Sequence, residues 1–130
     1  MLEDKYWYAY EKFSRAIYTL ATGAGGVRSR LLDVFSDPLL VIQPKHLPDD
    51  LGEDILWINK KITKYKEKWA GQLDKLRGLE KQDPMFKEKF PNLYPNQVEA
   101  TLNRIRRSTG VEIAKRICKI FESLDSRARD

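Results

Sequence analysis

Residues 51–76 read LGEDILWINKKITKYKEKWAGQLDKL. Leu51, Ile55, Ile58, Ile62, Tyr65, Trp69, Leu73 and Leu76 recur in steps of three and four. At roughly 100° of rotation per residue, that spacing puts them on one face of a helix. Pro48, Asp49 and Asp50 precede the stripe, and Glu53 and Asp54 follow at its start. A carboxylate N-cap and acidic first turns suit the positive end of a helix dipole. The stretch therefore predicts a long third helix, with Ala70-Gly71 available to bend it and Gly78 to end it.

The flanking sequence carries the same period. Tyr6, Ala9, Tyr10, Phe13, Ala16, Ile17, Leu20 and Ala21 predict a first helix over Asp4–Thr22, stopped by Gly23-Ala24-Gly25-Gly26. Leu31, Val34 and Phe35 face inward in a second helix from Val27 to Ser36. Asp37-Pro38 then starts a short turn carrying the apolar run Leu39-Leu40-Val41-Ile42, and Pro44 and Pro48 keep the connection turned or extended. Residues 81–95 read as a loop with about one helical turn, anchored by Met85, Phe86, Phe90, Leu93 and Tyr94. Val98, Leu102, Ile105, Thr109, Ile113, Ile117, Ile120 and Leu124 hold phase across Gly110, so a fourth long helix is expected from Asn96 to Asp125, kinked at that glycine. No segment alternates apolar and polar residues as a strand would. The fold class read from this pattern is all-α: one domain over residues 1–130, an antiparallel bundle of about four helices with long third and fourth helices.

Composition agrees with a folded chain and narrows its setting. The 130 residues are 42% hydrophobic and 33% charged, with a formal charge of +5. The longest apolar run falls far short of a bilayer span, and the opening Met1-Leu2-Glu3-Asp4-Lys5 has neither the positive region nor the apolar stretch expected of a signal peptide. A lone Cys118 forms no internal disulfide and suits a reducing compartment. The expectation is a soluble cytoplasmic protein with no membrane partner.

The charge is unevenly distributed. Residues 27–58 carry three cations and six carboxylates, whereas residues 59–83 carry eight cations and four carboxylates. Residues 96–130 carry eight cations and five carboxylates. On the third helix Lys60, Lys61, Lys64, Lys68 and Lys75 lie opposite the apolar stripe, and Trp57 lies with them. Trp57, Lys60, Lys61, Lys64 and Lys68 form a candidate nucleic-acid face: an aromatic ring stacks on a base while ammonium groups hold phosphates. The plainer reading is a solvated face with Trp57 packed under another element or on lysine stems. In the fourth helix Arg106 and Arg116 fall near the apolar arc and need carboxylates, for which the acidic 49–54 region is the natural source.

Gly25, Gly26, Arg28 and Arg30 form a candidate anion cradle, where a glycine-rich link runs into a helix start beside two guanidiniums. A tight interhelical turn explains the same glycines more simply. The link lacks the Lys-Ser/Thr of a Walker A loop, and no strand precedes it. Trp7, Tyr8 and Tyr18 sit off the main stripe of the first helix and form a candidate interface. Asp49, Asp50, Glu53 and Asp54 read as helix-start charges before they read as metal ligands. His46 is the only histidine, and no sequence motif links it to Cys118 or to any metal or nucleophile pattern. No catalytic residue, metal site or cofactor is expected. The sequence favours a small non-catalytic protein-interaction or assembly module, with a protein partner or a homo-oligomer. The alternative is a nucleic-acid-associated accessory protein using the Trp57 face.

Overall fold

The computed structural model describes residues 1–39, 42–64, 66–90 and 97–130; the side chains of 66–69 and 97 lie outside that description. The expectations placed on Leu40, Val41, Tyr65, Leu93, Tyr94 and Asn96, and on the side chains of Lys68 and Trp69, therefore fall outside the described residues. Among the described residues there are seven α-helices and no strand: α1 (Trp7–Thr22), α2 (Val27–Ser36), α3 (Gly52–Ile62), α4 (Lys66–Gln82), α5 (Phe86–Lys89), α6 (Gln97–Leu102) and α7 (Arg107–Arg129). Single 3-10 turns occupy Asp4–Tyr6, Pro44–His46 and Asp49–Leu51. The chain is all-helical, as its periodicity requires.

The first two helices end where the glycines and Ser36 place them. Neither expected long helix runs unbroken. The expected third helix is divided into α3 and α4: α3 ends at Ile62, Thr63 leaves helical geometry at ψ 12°, and its hydroxyl donates back to the Asn59 carbonyl at 2.7 Å. The expected fourth helix is divided into α6 and α7 by the turn 103–106, so the break comes before Gly110 and Gly110 lies within α7. Asp49 and Asp50 also differ from expectation. They lie in a 3-10 turn ahead of α3, and no side-chain cap hydrogen bond forms at either start.

One apolar cluster joins the elements. Phe13 and Ala16 of α1, Leu31 and Val34 of α2, Ile55 and Ile58 of α3, and Ile113, Ile117, Ile120 and Leu124 of α7 are all buried in it. α7 packs against α1, α2 and α3, while α6 packs against α2, α3 and α4. At the edge of this core Tyr10 stacks on Phe121, with ring centroids 6.1 Å apart, and its hydroxyl donates to Asp125 at 2.7 Å.

Gly110 sets how closely α7 approaches α2. It is buried, and a Cβ at this position would lie 3.3 Å from Val27 Cγ1, 3.6 Å from Leu31 Cδ1 and 3.7 Å from Arg28 Cγ. An alanine would gain helix propensity and press only on flexible side-chain ends, whereas a larger group would push the helices apart. Gly110→Ala is expected to stay within about 1 kcal/mol of wild type. Gly110→Leu should cost about 1–3 kcal/mol, and Phe13→Ala about 3–5 kcal/mol. Urea unfolding of the three variants checks the order.

Candidate basic surface at the α6–α7 turn

The acidic segment and the second half of α7 are joined by ion pairs. Asp54 is buried at 5% exposure on the inner side of α3, where an isolated carboxylate would be costly. Arg116 Nη1 donates to its Oδ1 at 3.1 Å, and Lys119 Nζ lies 3.0 Å from Oδ2. Arg116 also places Nε 3.4 Å from Glu112 Oε1, an ion-pair contact without hydrogen-bond geometry. Arg127 bonds Asp50 in the same manner across the fold. Of the two arginines expected near the apolar arc, Arg116 thus finds its carboxylate in the 49–54 region, whereas Arg106 is exposed at the α6–α7 turn.

This pairing changes the role of Trp57. The residue is half-buried and packs against the core, with the Arg116 guanidinium carbon 4.0 Å from its ring centroid and Lys61 Nζ 5.5 Å away. Lys60 and Lys64 are exposed beside it. The ring is therefore engaged by α7, and its stacking partner in this structure is a guanidinium.

A second group of cations surrounds the α6–α7 turn. A hollow of about 330 Å³ is lined by Lys61, Lys64, Arg104, Ile105, Arg106 and Thr109. A larger one of about 800 Å³ is lined by Gly26, Val27, Arg28, Ser29, Leu32, Leu102, Asn103 and Arg107. Consecutive residues 102–107 divide between the two, and no carboxylate stands among the described lining residues. Among the described residues neither Arg106 nor Arg107 has an ion-pair partner. Arg104 Nη1 donates to the Ala100 carbonyl at 2.9 Å, and Arg28 Nη1 reaches the Ile105 carbonyl at 3.4 Å. Those bonds hold both side chains against the turn. The sequence reads residues 96–130 as one basic helix; the helix instead breaks at 103–106, which brings Arg104, Arg106 and Arg107 to Lys61, Lys64 and Arg28.

The expected anion cradle is divided in the structure. Gly26 and Arg28 line the larger hollow, but Arg30 turns away to donate to the Gly25 and Leu20 carbonyls at 3.1 and 2.9 Å, satisfying backbone left over at the end of α1. Gly25 serves the turn itself, with φ +81°. The candidate interface residues Trp7, Tyr8 and Tyr18 are all exposed on α1. Trp7 packs edge-on to Tyr10 at 5.4 Å, Tyr8 lies 5.2 Å from His46 and beneath Lys12, and Tyr18 is 70% exposed. Among the described residues no group of three His, Cys, Asp or Glu is placed to hold a metal ion, and no helix is long and apolar enough to cross a membrane. Cys118 is partly buried, and burial with Glu122 nearby pushes its thiol up. Compared with family models, curated proteins and solved structures, the chain matches none.

Two sets of predictions follow from these pairs. Arg116→Ala leaves the buried Asp54 with Lys119 alone and should cost about 1–3 kcal/mol. Lys119→Ala removes a partner that is 67% exposed and should cost under about 1 kcal/mol. Chemical denaturation of the two variants separates them. Hydrogen bonding from Arg127 holds Asp50 below the usual carboxylate range, and the Tyr10 hydroxyl with Arg129 does the same for Asp125. A carboxylate depressed in the folded state stabilises above its unfolded pKa and loses that contribution as pH falls through the folded value. Stability should therefore fall as the solution is acidified below about pH 4, and less steeply in Asp50→Asn. Thermal melts across acidic pH test this.

Proposed function

We propose that the protein binds nucleic acid and acts by binding, not by catalysis. The observation that carries this reading is the run of residues 102–107, flanked by two hollows whose cations are Arg28, Lys61, Lys64, Arg104, Arg106 and Arg107 and whose described linings include no carboxylate. Cations spread along a surface track match a polymer of phosphates, since each contact releases a condensed counterion. Lys61 and Lys64 remain from the basic face read in the sequence. Trp57 does not serve as a base platform in this reading, because Arg116 occupies its ring. The setting is a reducing, cytoplasmic one, in which Cys118 stays a thiol.

Fluorescence anisotropy with a labelled oligonucleotide tests the proposal. Binding should be measurable at about 50 mM salt and weaken with a log–log slope of about −0.7 per neutralised phosphate on a single strand. Charge reversal at Arg106 and Arg107 together should lower affinity about tenfold or more and flatten the slope by about 1.4. Lys45→Glu, an exposed position lining neither hollow, should change little. Absence of binding at low salt, or equal loss in the Lys45 variant, overturns the reading.

A second reading has its own observation on α1. Trp7 and Tyr18 are 43% and 70% exposed, and eleven residues of helix bring them back to nearly the same azimuth. Large aromatics left in solvent on one helix face suit a second copy of the chain. Sedimentation should then show a dimer that Tyr18→Glu dissociates. A monomer at all accessible concentrations ends this reading.

A further inference from the structure

We propose that the larger hollow is a nucleotide pocket, and that the protein's ligand is a single strand with one base inserted there; this rests on the nucleic-acid reading above. At about 800 Å³ the hollow falls in the range of clefts that enclose a small organic group. Its lining has the components a nucleotide requires. Val27 and Leu32 are half-buried and rest on the core, and Leu102 is buried, so together they offer an apolar wall to the flat face of a base. The Asn103 amide and Ser29 hydroxyl, both on exposed residues, supply donors and acceptors for a base edge. Arg28 and Arg107 supply charge for the adjoining phosphates. From there the strand crosses the 102–107 turn to the hollow of Lys61, Lys64, Arg104 and Arg106.

The geometry disfavours a duplex. A duplex keeps its bases stacked inside, and its major groove is read by a helix that projects outward. The outer face of α7 runs through Ser108, Val111, Lys115, Lys119 and Glu122. It carries a carboxylate, and one of its two lysines is held by Asp54. Arg106 and Arg107, which have no ion-pair partner among the described residues, border the hollows, and hollows accept unstacked bases.

Gly26 adds an observation independent of charge. Its φ of −79° suits any residue, and a Cβ there would have nothing within 4 Å. The fold does not require glycine at this position, and Gly26 lines the hollow. That makes Gly26→Ile a variant that fills the pocket at little cost to the fold.

The test uses labelled strands of about 15 nucleotides in three forms: mixed-sequence single strand, the matching duplex, and a strand of abasic sugar-phosphate units. Wild type should bind the single strand about tenfold or more tighter than either of the others. Gly26→Ile should lose about tenfold on the single strand with its melting temperature unchanged, and Asn103→Ala about fivefold. In Gly26→Ile the single strand and the abasic strand should then bind alike, through the charge that remains. Equal binding of abasic and native strands by wild type, a preference for duplex, or an unaffected Gly26→Ile overturns the pocket while leaving the nucleic-acid reading in place. Failure of all three strands to bind wild type at low salt overturns both.

Discussion

The structure depends on burying one stripe of α7 on three sides at once. Ile113, Ile117, Ile120 and Leu124 are fully enclosed, and the helices that enclose them, α1, α2 and α3, all come from the first half of the chain. That arrangement requires the first turn of α7 to lie almost against the first turn of α2. Gly110 permits the approach, because a Cβ there would already press on Val27. The same contact fixes the start of α7 and therefore the place where the chain must turn out of α6. The two basic hollows lie on either side of that turn, so their position is a consequence of core packing.

Much of this was visible in the sequence. The period of apolar residues located α1 and α2 to within a few residues, because glycines or a proline follow each stripe. It also identified the buried side chains of α3 and α7. The breaks were hidden for a geometric reason. The turn 103–106 spans four residues, close to the 3.6 of a helical turn, so Leu102 and Ile113 keep nearly the same phase with or without it. Thr63 and its neighbours interrupt α3 and α4 with no glycine or proline to mark the place. A hydrophobic stripe records which side of the chain is buried, and says little about whether the axis continues straight.

The site was legible only in its parts. Lys61 and Lys64 stood out as charge on a helix, and Gly26 and Arg28 as glycine and charge at a helix start, yet the two pairs belonged to different candidates. Their union depends on the turn that the periodicity concealed. Trp57 shows the converse. Its position among lysines suggested an open platform, but the ring lies where α3 meets α7, and the arginine that needed a carboxylate covers it.

The distribution of charge follows from which cations the fold has to neutralise. Asp54 is buried, and an unpaired carboxylate there would be strongly unfavourable, so α7 supplies Arg116 and Lys119. Arg127 reaches Asp50 in the same way. Asp50 and Asp54 of the acidic segment are thus matched by the middle and end of α7. Arg106 and Arg107 at the turn have no ion-pair partner among the described residues. A modest net charge of +5 understates the result. Internal pairing removes most of the balance along α7 and concentrates the remainder at the corner where the packing of α7 on α2 opens two hollows.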